Sequence, residues 1–115
     1  MSPRPKYAVK DRNHGIVPTA LEELGMVDVD SARLSYVTRI RGQSVIALDI
    51  SGMPGQIDWL ILSERGWCLC IEIKYPGEEH KLTDGEKRWR DTIGILVASN
   101  SDAVKYAILE LIGYE

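Results

Sequence analysis

The sequence predicts an α/β domain built on a mixed central β-sheet flanked by helices. Three observations carry this expectation. Two strand-like apolar runs, residues 57–62 and 67–73, are joined by a tight turn. The second run is followed by a helix signal and then a short apolar strand, and apolar residues recur at helical spacing both before and after these runs. At 115 residues and 12.9 kDa the chain is sized for one domain, residues 1–115, able to bury roughly two-thirds of its unfolded surface.

The elements follow in order. Residues 1–12 are polar, contain Pro3 and Pro5, and read as an arm. Ile16, Val17, Ala20, Leu21 and Leu24 then mark a helix that Gly25 stops. Pro18 fits only in a first turn, so the regular part begins near Val17. Residues 34–50 read as a hairpin with Arg41-Gly42-Gln43 between its strands, and residues 51–55 as a loop. Glu64-Arg65-Gly66 is a three-residue connection with glycine last, the signature of a type I turn closed by a bulge. If Ser63 faces Trp67, then Leu62 faces Cys68, Leu60 faces Cys70 and Asp58 faces Glu72 on one side of the sheet. Trp59–Ile71 and Ile61–Leu69 share the other side. After a loop at 75–81, Thr83-Asp84-Gly85-Glu86 fits a capping box opening a helix through about Thr92. Residues 94–98 form an apolar strand. Asn100 or Ser101 caps a last helix whose buried side holds Val104, Ile108, Leu111 and Ile112. A strand–helix–strand crossover makes the strands at 67–73 and 94–98 parallel.

Composition removes several function classes. Fourteen Lys and Arg against 17 Asp and Glu give a net charge of −3, which argues against a purely electrostatic nucleic-acid binder. Basic clusters are present nonetheless, at Arg4–Arg12, at Arg33–Arg41 and at Lys87–Arg90. Two cysteines and two histidines make neither a disulfide framework nor a structural zinc set, and Cys68 and Cys70 read as inert buried residues. No apolar run approaches the ~20 residues of a membrane span, and residues 1–6 lead into no signal-peptide core. An intracellular, cytoplasmic domain with no membrane association is the expectation.

The chemistry concentrates where the two apolar runs meet. Glu72 and Lys74 are two residues apart on one strand, so they project from the same face, and Asp58 on the neighbouring strand points to that face too. Opposed carboxylates ~4.5–5.5 Å apart at Cβ repel unless a cation, a proton or a neighbouring positive charge joins them. Hard oxygens without nearby His or Cys suit Mg²⁺ or Mn²⁺ better than zinc. A plain salt bridge from Lys74 to one carboxylate is the competing reading. The carboxyl end of a central strand, where α/β sites are commonly built, favours the functional one.

Ile57-Asp58, thirteen residues, then Glu72-Ile73-Lys74, framed by a leading and a crossing helix, resembles the PD-(D/E)XK nuclease superfamily. Asp11-Arg12-Asn13 before the first helix and Leu82-Thr83 after the lysine look most like its compact stand-alone VRR-NUC branch, typical of phages. The resemblance runs from about Asp11 to the last helix, although the hairpin at 34–50 is longer than the family's usual connection. It implies a restriction-endonuclease-like αβββαβ core and a Mg²⁺- or Mn²⁺-dependent DNA endonuclease. Asp58, Glu72 and the Ile73 backbone carbonyl would hold the metal, and Lys74 would orient the attacking water. It further implies a homodimer acting on branched DNA, like a Holliday-junction resolvase, in the cytoplasm of a phage host.

Two positions depart from the family pattern. His14 stands where the family often has glutamate, and reads either as an accessory ligand or phosphate contact or as a surface histidine. Glu86 replaces a usual glutamine, and reads either as a capping-box residue or as an accessory catalytic group. Glu22 and Glu23 are alternative acids for the family's glutamate, although their helical position reads as solvent-facing, and Trp89 reads as core or interface. Lys10, Arg12, Asn13, Lys87, Arg88 and Arg90 are candidate DNA contacts. The alternative to an enzyme is a catalytically degenerate nuclease fold serving as a DNA-binding or interaction subunit.

Overall fold

The computed structural model describes residues 15–25, 28–30 and 35–113. They form a mixed α/β fold with the order α1 (Ile16–Glu23), β1 (Asp28–Asp30), β2 (Ser35–Ile40), β3 (Gln43–Asp49), β4 (Trp59–Ser63), β5 (Cys68–Ile73), α2 (Asp84–Thr92), β6 (Leu96–Ala98) and α3 (Ser101–Ile112). The strands lie in sequence order in a single sheet, antiparallel up to β5, with β6 parallel to β5. The parallel pair is the expected crossover, with α2 as its helix. β1 was not expected. Asp-Val-Asp is three residues long and two-thirds acidic, too short for its alternation to mark a strand, and it stands by pairing with β2.

The β2–β3 hairpin closes in two residues rather than three. Arg41 (φ 49°) and Gly42 (φ 84°) both take the positive φ that a type I′ turn demands. Gln43 therefore joins β3, and its buried amide oxygen accepts from Ser63 Oγ (3.0 Å) and Trp67 Nε1 (2.9 Å), tying the two hairpins together. The β4–β5 register is the expected one, from Trp59↔Ile71 to Leu62↔Cys68. Gly66 closes the connection at φ 97°.

Alternation along the strands separates two faces. Val45, Ala47, Trp59, Ile61, Ile71 and Ile73 join Val17, Ala20 and Leu21 of α1 and Val104, Ile108 and Ile112 of α3 in one core. Leu111, expected inward, is 40% exposed; its neighbour Ile112 takes the inward direction. Asn100 is the cap of α3, accepting from Ala103 N–H at 2.9 Å. α1 begins at Ile16, which leaves Pro18 in the first turn, where its missing N–H costs nothing. Among the described residues no helix is long and apolar enough to cross a membrane.

The N-terminus of α2 sits hard against the loop that leads into β4. A Cβ on Gly85 would lie 2.8 Å from the Gly55 carbonyl oxygen, a backbone atom with little room to yield. Gly85→Ala should therefore lower stability by about 1–3 kcal/mol despite alanine's better helix propensity. Thermal melting checks this, and an unchanged or higher Tm would contradict the close approach.

Candidate active site

The site is built by the end of the β4–β5 hairpin. Ser63 N–H donates to the Trp67 carbonyl (3.0 Å), fixing the ladder at the turn. At the other end the ladder changes. Asp58 N–H donates to the Ile71 carbonyl (3.1 Å), although Trp59 is already the partner of Ile71. Two residues thus face one, the pattern of a β-bulge. Toward β3 the pairing continues undisturbed, with Ile50 N–H donating to the Asp58 carbonyl (2.9 Å). The expected direct Asp58–Glu72 opposition is thereby corrected. The extra residue turns the Asp58 carboxylate along β5, where Oδ2 accepts from Ile73 N–H at 2.8 Å.

Asp58 (2% exposed) and Glu72 (3%) are both buried, which is rare for carboxylates. Lys74 reaches toward the same place, its Nζ lying 3.5 Å from Glu72 Oε2 and 3.0 Å from Glu86 Oε1. Glu86 arrives from α2. Its Oε1 also accepts from Thr83 N–H (2.9 Å), while its own N–H donates to Thr83 Oγ1 (3.2 Å), completing the capping box. The capping-box alternative for Glu86 is the one observed, and the same oxygen holds Lys74.

Charge balance explains the protonation of the cluster. Three carboxylates, Asp58, Glu72 and Glu86, face the Lys74 ammonium, leaving −2 if all are ionised. Burial, then the neighbouring Asp58 and Glu86, push the Glu72 carboxyl up to about 9, with Lys74 opposing. Burial also acts on Glu86, but hydrogen bonds from Glu72 and Thr83 and the Lys74 ammonium hold it below the usual range. Burial would depress Lys74, yet Glu86 and Glu72 outweigh it and raise the ammonium. Glu72 thus carries the proton that the cluster needs when no cation is present. Its Oε1 is buried without a hydrogen-bond partner.

That orphaned oxygen fits a hard cation, since an unpaired buried acceptor otherwise costs about 1–3 kcal/mol. As they stand, no three His, Cys, Asp or Glu side chains among the described residues form a ready-made metal group. Mg²⁺ is commonly held by one or two carboxylates and several retained waters rather than by a full set of protein ligands.

The remaining candidates disperse. His14, Lys10, Arg12 and Asn13 lie outside the described residues. Lys87, Arg88 and Arg90 are exposed on α2, and Arg90 pairs with Asp91 (2.9 Å). Glu22 and Glu23 are exposed as expected, Glu23 meeting Lys105 at 3.1 Å. Trp89 is half-buried and donates to Gln56 Oε1 (3.0 Å). Cys70 is buried as expected, but Cys68 is exposed. Comparison with profiles of known protein families, with curated proteins and with solved structures found no match.

The buried proton makes a signed prediction for chelated, metal-free protein. Glu72 keeps its proton in the fold up to about pH 9 but loses it near 4.5 when unfolded, so stability is full below 4.5 and falls as pH rises toward 9. The slope from this one group is at most about 1.4 kcal/mol per pH unit. Urea melts at pH 6 to 9 should show the wild type losing stability relative to Glu72→Gln, which has no proton to lose there. Parallel pH profiles would contradict the assignment.

Proposed function

We propose that the chain is a divalent-metal-dependent DNA endonuclease of the PD-(D/E)XK type, with Asp58, Glu72 and Lys74 as its catalytic residues. The observation that carries this reading is the buried carboxylate pair, one of its oxygens unpartnered, beside an ammonium at the carboxyl end of β5. The element order supports it. A helix, an antiparallel meander β3–β4–β5, a crossover helix and a parallel β6 occur in the αβββαβ order, with β1 and β2 interposed between the helix and the meander.

Asp58, Glu72 and the Ile73 carbonyl would hold Mg²⁺ or Mn²⁺. When bound, the cation supplies Lewis acidity and lowers the pKa of a coordinated water. The chain's own residues do the rest. Ile73 N–H fixes the Asp58 carboxylate against β5. Glu86 anchors the Lys74 ammonium at 3.0 Å, so that it faces the carboxylates rather than solvent. There Lys74 orients the attacking water and balances charge on the scissile phosphate. Glu86 is a positioning residue in this scheme: it acts through Lys74. Branched DNA is the preferred substrate and a homodimer the working form, because two identical sites related by a two-fold axis match symmetric strands.

The test is cleavage of plasmid and four-way-junction DNA with Mg²⁺ or Mn²⁺. Asp58→Ala and Lys74→Ala should each lower the rate by at least about 100-fold. Activity surviving both substitutions overturns the reading. Junction binding with no cleavage by the wild type does so too, in favour of a non-catalytic DNA-binding subunit.

A further inference from the structure

A second pair of side chains able to ligate a metal, Cys68 and Cys70, lies on the same strand as Glu72, toward its other end. β6 pairs only with Ile71–Ile73, so β5 has no strand beside Cys68–Cys70 on that edge among the described residues. A cavity of about 590 Å³ opens there, lined by Cys68, Cys70, Gly94, Leu96, Glu110 and Leu111. The two cysteines, two positions apart on one strand, share a face, and their sulfurs are 3.9 Å apart. Cys68 is exposed to solvent at the mouth while Cys70 is buried.

That separation has a chemical meaning. Two thiolates bound to one tetrahedral ion at ~2.3 Å lie about 3.8 Å apart. The pair therefore needs almost no movement to chelate such an ion. We propose that Cys68 and Cys70 form a binding site for a thiophilic d¹⁰ cation of the Zn²⁺ or Cd²⁺ class. As each metal–sulfur bond forms, one thiol proton passes to solvent, so a divalent ion replaces two protons and the site's net charge is unchanged. Among the described residues no third His, Cys, Asp or Glu completes the set. The other coordination positions belong to solvent, which makes the ion exchangeable, unlike the closed four-ligand sites that hold a fold together. Glu110 of α3 also lines the cavity, outside the sulfur pair. Ligand softness keeps the two centres apart, since carboxylates select Mg²⁺ or Mn²⁺ and thiolates select the d¹⁰ ions. The inference is independent of nuclease activity.

Titration of the reduced protein with Cd²⁺, followed by sulfur-to-cadmium ultraviolet absorption, tests it. The wild type should saturate near one equivalent. Cys68→Ser, which changes an exposed residue and leaves the core intact, should weaken binding at least tenfold. Asp58→Asn should bind Cd²⁺ as the wild type does. An absent signal in the wild type, an undiminished one in Cys68→Ser, or loss of the signal in Asp58→Asn would each overturn the proposal.

Discussion

Two carboxylates buried side by side at the end of a central strand are the constraint around which the candidate site is organised. Asp58 and Glu72 are both buried, and like charges in a low-dielectric setting cannot both persist without compensation. The protein supplies three forms of it. A backbone N–H is aimed at Asp58, an ammonium stands 3.5 Å from Glu72, and a proton is retained on Glu72 itself. A buried acceptor is still left over. Such a group is costly in a purely structural role, because apolar side chains of similar size would fill the space without penalty.

The surrounding architecture keeps that group from relaxing. The bulge at Asp58 makes the carboxylate part of the sheet's hydrogen bonding rather than a free side chain. Glu86 belongs at once to the cap of α2 and to the lysine, so the start of the crossover helix and the end of β5 are coupled through one oxygen. The tight approach of Gly85 to Gly55 fixes the same helix against the loop entering β4. Helix, loop and strand thus converge on the site from three directions.

Much of this was legible in the residues. A three-residue turn with glycine in its last position set the β4–β5 register, and from it the common face of Leu60, Leu62, Cys68 and Cys70. The capping box marked the start of α2, and the crossover gave the parallel pair. What escaped depends on tertiary context. The bulge at Asp58 arises because a side-chain oxygen competes for the Ile73 N–H, which no periodicity reveals. β1 is polar and exists through its partner. Cys68 is exposed because β6 is too short to cover the lower part of β5, a boundary that the apolar run at 94–98 concealed. Glu86 was visible as a cap, but its reach to Lys74 required the geometry of the crossover. The first helix was placed correctly, while His14 and the arm before it fall outside the described residues.

The most direct measurement is a crystal structure with Mn²⁺ present, read by anomalous scattering. The account predicts a manganese ion bound by the carboxylates of Asp58 and Glu72 and the Ile73 carbonyl, at metal–oxygen distances of about 2.0–2.3 Å. A crystal in which Mn²⁺ is bound elsewhere, while Glu72 keeps its place beside Lys74, would contradict it.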